Sequence, residues 1–305
     1  MDSMVSWGVI FGLRTAVFIG LFMVPRRYAK SDTVTFMVGM TAGAAVGNTI
    51  LWLASGMPFQ TTWAAAFSIV PGATWAVGSY AYAGGTTRVG LAKATAIKNT
   101  QLVVTTLGGF LLFGETRTTN PLLAALGGAL VIATAVVLSR TEHVEESLPN
   151  ASLKGYLIPI AASVLYGVNG LFMKWLLEHK VPRPLIGLGI GIGALGASMA
   201  IYAAAGRRMD AFWSAGLRDH AFSVLGGLTW AMGLVTMLLA IDYAGVAVGW
   251  ALMNLSVVVS VLFGVVILRE IDWRARWKEI GGGLVVAFLG IAALALAKWL
   301  PAAAR

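Results

Sequence analysis

Ten apolar stretches, each near the length a helix needs to cross a bilayer, follow one another along this 305-residue chain with short connections between them. About 20 mostly apolar residues in a helix cover the hydrocarbon core, and in lipid a helix satisfies its own backbone hydrogen bonds. The stretches cover 5–24, 33–54, 61–83, 89–113, 121–138, 153–177, 185–205, 221–241, 244–268 and 277–299. They predict an all-α membrane protein with ten transmembrane helices. Only 11% of the residues are charged, where a soluble chain carries roughly a quarter. The first stretch reads as a span rather than a signal peptide, because no basic residue precedes it and Arg14 interrupts it. The longest loop, 139–152, holds a short acidic run at Glu142, Glu145 and Glu146 and leaves no room for a water-soluble domain.

Composition narrows the chemistry. The chain has no Cys, which removes disulfides, thiolate metal sites and thiol nucleophiles, and its three His lie outside the apolar runs. No metal or cofactor is expected. The net charge of +9 reads as cytoplasmic loops rather than a nucleic-acid surface, since basic loops stay on the cytoplasmic side of a membrane. Loops after the first, third, fifth, seventh and ninth stretches carry thirteen Lys and Arg, and the opposite set carries five: Arg117, Lys180, Arg183, Lys298 and Arg305. Both termini are therefore expected outside the cytoplasm.

The second half repeats the first. A constant shift of 155 residues places Gly72, Thr74, Trp75, Ala76 and Gly78 over Gly227, Thr229, Trp230, Ala231 and Gly233. The same shift pairs Gly90 with Gly245, Asn99 with Asn254, Glu115 with Glu270 and Gly127-Gly128 with Gly282-Gly283. Upstream it sets Phe11-Gly12 over Tyr166-Gly167 and Arg14 over Asn169. Two copies of five spans follow, 1–145 and 146–305. Because five is odd, the copies enter the membrane from opposite sides, as two inverted five-helix repeats. Such repeats build two alternative packings around one central site, the structural basis of alternating access.

Two five-span copies, Trp-Ala-x-Gly on the third and eighth helices, and a Gly-to-Glu ending on the fourth and ninth resemble the drug/metabolite transporter superfamily. Within it, Gly20-Leu-Phe-Met-Val-Pro25-Arg-Arg, Gly72-Ala-Thr-Trp75-Ala-Val-Gly78 and Gly109-Phe-Leu-Leu-Phe-Gly-Glu115 resemble the glucose/ribose porter branch, which includes glucose and L-rhamnose uptake proteins. The resemblance implies a secondary transporter for sugars or related polar metabolites in a bacterial cytoplasmic membrane, often coupled to a proton or another cation.

Apart from Lys154, Lys278 and Lys298 at the very ends of their stretches, which are counted with the loops, four basic residues remain inside: Arg14, Lys93, Lys98 and Lys174. Lys93 and Lys174 lie near helix ends, where a long side chain reaches the headgroups. Arg14 and Lys98 are central, and a central charge costs ~2.5–3.5 kcal/mol or more on insertion scales. A watery cavity, a partner or a ligand offsets that cost, which makes these two the leading candidates for substrate binding; a bond to carbonyls at a kinked helix is the structural alternative. At helical spacing Lys98 shares a face with Thr95, Gln101 and Thr105, with Asn99 beside them and Asn254 at the matching place in the second copy. Asn and Gln both donate and accept, as recognition of hydroxyls or a carboxylate requires. Trp75 and Trp230 sit too deep for the interfacial aromatic belt and suit either stacking on a sugar ring or helix packing. Asn169, Tyr80 and Tyr166 are weaker candidates of the same kind. Gly187, Gly189, Gly191 and Gly193 lack the strand and the Lys-Ser or Lys-Thr of a phosphate loop and read as a smooth packing face.

A sugar carrier is thus expected, with an organic-anion carrier or a metabolite exporter as its rivals in transport. An enzyme is not expected, because the spans hold no acid-base pair, metal cluster or partnered nucleophile. The expected partners are a small-molecule substrate and the lipid bilayer.

Overall fold

The computed structural model describes residues 2–59, 62–89, 94, 97–139, 153–207, 209–267 and 274–300. Among them the regular structure is helical: α1 (Asp2–Leu21), α2 (Thr33–Ala54), α3 (Trp63–Ala66), α4 (Ile69–Val89), α5 (Gln101–Phe113), α6 (Pro121–Ser139), α7 (Leu153–Glu178), α8 (Arg183–Ala204), α9 (Met209–Trp213), α10 (Leu217–Met253), α11 (Ser256–Val266) and α12 (Trp277–Trp299), with 3-10 turns at Val24–Arg27 and Glu115–Arg117. Lys93, Thr95 and Glu270 lie outside the described residues.

Seven segments are long and apolar enough to cross a membrane, fewer than the ten expected. The difference has a compositional cause. α4 carries Thr74, Ser79, Tyr80, Tyr82, Thr86, Thr87 and Arg88 within its 21 residues, and α5 is 13 residues long. The stretches 221–241 and 244–268 fall in one segment, Leu217–Val266, of 50 residues. At 1.5 Å per residue that is ~75 Å of straight helix, more than twice the ~30 Å core. The segment bends instead at Gly245, whose φ of 82 and ψ of 164 are non-helical and belong to glycine territory.

Helix caps follow ordinary chemistry. The Asp32 carboxylate accepts the Val34 and Thr35 N–H groups at the start of α2, at 3.0 and 3.3 Å, a strong N-cap. α5 ends at Gly114 in the left-handed conformation, which delivers Glu115 to the start of the next helical turn.

α1 packs along α10 and α11, while α7 packs along α4 and α5. α2 and α8 pack on each other, α2 also on α10 and α8 also on α4, and α6 pairs with α12. Glycine allows these approaches. An added Cβ at Gly43 of α2 would press into the Val224 carbonyl, and at Gly193 of α8 into the Ile69 carbonyl. At Gly72 it would meet the Ile190 carbonyl, and at Gly227 the Met40 carbonyl. Phe36, Met40, Leu102, Ile190, Leu234, Leu238 and Trp250 belong to the buried apolar centre, whereas Leu111, Leu122 and Phe288 point outward. Outward leucines and phenylalanines suit hydrocarbon as the surrounding solvent.

Candidate functional site

Two helical runs lose their regular bonding near the same place. Ahead of α5 the Thr100 N–H donates to the Ile97 carbonyl and the Val103 N–H to the Thr100 carbonyl. Between α10 and α11 the Leu255 N–H donates to the Leu252 carbonyl and the Val258 N–H to the Leu255 carbonyl. These are i to i−3 bonds, the tighter 3-10 pattern that in mid-helix often marks a hinge. The interruptions touch: Gln101 Nε2 donates to Asn254 Oδ1 at 2.7 Å, and Asn254 Nδ2 donates to the Trp250 carbonyl at 2.8 Å. Asn99, Gln101, Thr105 and Asn254 are all buried.

Lys98 lies one turn before Gln101, mostly buried, with its ammonium 5.7 Å from the Tyr82 ring centre and 5.8 Å from that of Tyr166. The Tyr166 hydroxyl shares a 2.7 Å hydrogen bond with Ser79 Oγ, and Thr100 Oγ1 shares one of 2.9 Å with Ser163 Oγ. α4, the turn ahead of α5, and α7 thus bring six polar side chains together. The described carboxylates lie elsewhere: Asp32, Glu115, Glu178, Asp210, Asp219 and Glu279 at helix ends, and Asp242 just before the break at Gly245. Each cation–π contact contributes ~0.5–2 kcal/mol, which makes the two tyrosines a partial offset to the ~2.5–3.5 kcal/mol cost of a central cation.

The remaining candidates divide. Trp75 and Trp230, both buried, pack on each other with ring centres 4.3 Å apart, so each indole has the other as a neighbour. Asn169, 1% exposed, donates from Nδ2 to the Pro71 carbonyl, which ties α7 to α4. Arg14 does not join the cluster: it is exposed, its guanidinium 5.8 Å from the Phe11 ring of its own helix. The same helix buries Gly12, Thr15 and Ala16, so its packed face turns away from the arginine. Lys174 pairs with Glu178 at 2.7 Å.

Two acids close to the ends of spans have structural partners. Glu115 is buried and accepts the Val246 and Ala247 N–H groups at 2.7 and 3.1 Å, capping the half-helix that restarts after Gly245. Asp242 pairs with Arg183. Sequence reasoning missed Ser79, Tyr82, Thr100 and Ser163. Hydroxyl residues are common in spans, and only the packing of α4 on α7 singles these out; the local signal was the run of polar side chains along α4.

At the other end of the bundle, Asp219 accepts the Lys30 and Ser31 N–H groups at 3.0 and 2.6 Å, and Arg207 lies 3.7 Å from Asp32. Burial opposes ionisation of Asp32, yet hydrogen bonds from Thr35 and Val34 and the Arg207 charge hold its carboxyl below the usual carboxylate range.

Comparison with known proteins finds matches along most of the chain. Residues 10–297 match the model of the family described as "Sugar transport protein". A Listeria innocua protein named "putative sugar uptake protein" is 28% identical over 263 residues, 86% of this chain and 88% of its own. A Listeria monocytogenes protein of the same description is 27% identical over 289 residues, covering 92% and 95%. A Bacillus anthracis protein so described is 24% identical over 293 residues, covering 95% and 99%. A solved crystal structure shares the fold, with a TM-score of 0.74 at 17% identity over 97% of this chain and 99% of that one.

Proposed function

The chain belongs to the sugar transport protein family, and from that premise we propose that it takes up a monosaccharide or a related small polar metabolite by alternating access. It is an integral membrane carrier with ten crossings in two inverted repeats, 1–145 and 146–305, of the drug/metabolite transporter type. The carrying observation is the hydrogen bond from Gln101 to Asn254, which joins two helix interruptions at matching positions of the two copies. Interrupted helices at corresponding places mark transporter binding sites.

Paired packing supports the repeat. Gly43 against Val224 has its counterpart in Gly193 against Ile69, and Gly72 against Ile190 in Gly227 against Met40. Gly127 against Leu294 has its counterpart in Gly283 against Leu138, one residue away from the register that the sequence suggests for these glycines. Trp75 touches Trp230, its own equivalent, as residues on a twofold axis do. The first helices favour a different register from the one sequence suggests. Gly20 meets Val259 and the Ser256 carbonyl, as Gly167 meets Val104 and the Gln101 carbonyl. Gly20, not Gly12, is then the partner of Gly167, and loops of unequal length absorb the shift. The break at Gly245 supports two crossings within Leu217–Val266.

The basic end of the bundle, with Arg26, Lys30, Arg88, Arg207 and Arg218, is the cytoplasmic side, which leaves both termini outside; a reporter fused after Arg305 that reads cytoplasmic contradicts this orientation. Function is tested by counterflow: purified protein in proteoliposomes loaded with unlabelled monosaccharide or sugar acid takes up the labelled form. Folded protein that moves neither rules the carrier out.

A further inference from the structure

We propose that the polar cluster around Lys98 is an off-axis binding site for a hydroxylated anion of the sugar-acid class. The proposal rests on the carrier reading and the repeat above, and it uses the second copy as an internal control. By the 155-residue shift, Ser79, Tyr82, Lys98 and Thr100 correspond to Leu234, Met237, Met253 and Leu255. By the packing of Gly78 on Tyr166 and of Gly233 on Ile19, Tyr166 corresponds to Ile19 and Ser163 to Ala16. All six counterparts are apolar: Ala16, Leu234, Met237, Met253 and Leu255 belong to the buried centre of the protein and Ile19 packs against it.

The same helix crossings therefore hold with six apolar side chains at the positions on one side of the axis and six polar ones at those on the other. Packing does not require the polar set, and lipid penalises it. A ligand explains it. On the axis the copies remain alike, with Trp75 against Trp230 and Asn99 matched by Asn254. The α1–α10 crossing of the other half holds the buried pair Thr15 and Thr236 but no counterpart of Lys98, Tyr82 or Tyr166, which belong to the turn ahead of α5, α4 and α7.

The chemistry of the set defines the ligand. Lys98 supplies a cation, and among the described residues its near neighbours are the Tyr82 and Tyr166 rings rather than a carboxylate. An anion completes the charge. Ser79, Tyr166, Thr100 and Ser163 bring four hydroxyl groups, bonded in pairs, with Ser79 and Thr100 also donating to the Trp75 and Ile97 carbonyls; the Tyr166 and Ser163 hydroxyls can turn to donate to the hydroxyls of a sugar, and all four oxygens can accept from them. The tyrosine rings offer apolar faces to its carbon skeleton. A neutral sugar uses the hydroxyls and rings but leaves the ammonium uncompensated; a polyhydroxylated carboxylate uses all three.

Counterflow of labelled D-gluconate and D-glucuronate against D-glucose in proteoliposomes tests this. The wild type is expected to exchange at least one of the acids at least tenfold faster than glucose. Lys98→Met, which installs the residue of the second copy, is expected to cut that exchange at least tenfold, and Lys98→Arg to keep a substantial part of it. The wild-type comparison decides the sign of the substrate charge even if a variant fails to fold. Glucose exchanged as fast as both acids, or acid exchange undiminished in folded Lys98→Met, overturns the proposal and leaves the carrier reading standing. Exchange of none of the three overturns both.

Discussion

At the scale of residues, the central feature is a hydrogen bond between two buried amides. Gln101 and Asn254 satisfy each other, and removing one partner strands the other in an apolar centre, at a cost of ~1–3 kcal/mol. Asn254→Leu or Gln101→Leu alone should lower the thermal midpoint markedly, whereas the double replacement should cost clearly less than the sum of the two. Additive losses in a double-mutant cycle would show that the amides do not depend on each other. Sequence made this pair visible, since polar amides in apolar runs are conspicuous. It did not reveal that Arg14 faces outward, because one residue of helical phase separates it from buried Thr15 and only packing fixes that phase. Nor did it reveal that Asn169 serves the Pro71 carbonyl, a contact between distant parts of the chain.

At the scale of elements, charged groups hold helix ends, and a pH dependence follows. Asp32 caps α2, and Thr35, Val34 and Arg207 favour its ionised form over the unfolded chain's. A lowered native pKa adds stability that is fully present above the unfolded pKa and is lost as pH falls through the native one. Asp32→Asn keeps the capping geometry and removes the charge. The difference in thermal midpoint between wild type and Asp32→Asn should therefore be largest at neutral pH and shrink as acidity passes through and below the usual carboxylate range. A difference that stays constant would assign the stabilisation to the cap alone. The exposure of Asp32 and Arg207 keeps the effect small. The cap of α2 is legible as Asp followed by Thr and an apolar run. The cap on the half-helix after Gly245 is not, because Glu115 comes from far away in sequence.

At the scale of the whole molecule, apolar length predicted a helical membrane protein. Sequence reading expects ten crossings where seven segments are long and apolar enough: α4 is rich in polar side chains, and the stretches 221–241 and 244–268 run together as Leu217–Val266. In the proposed repeat the constant shift of 155 runs through the third and fourth spans of each copy, whereas glycine packing favours other registers in the first helices. The central claim is that one polar site opens to each side of the membrane in turn. The natural chain has no Cys, so a single Ser79→Cys replacement places the one thiol in the molecule beside Tyr166. Membrane-impermeant thiol reagents applied from the cytoplasmic side, and separately from the outer side, measure access to it. Modification from both sides, slowed by transported substrate, is the predicted result; modification from only one side under every condition would contradict alternating access.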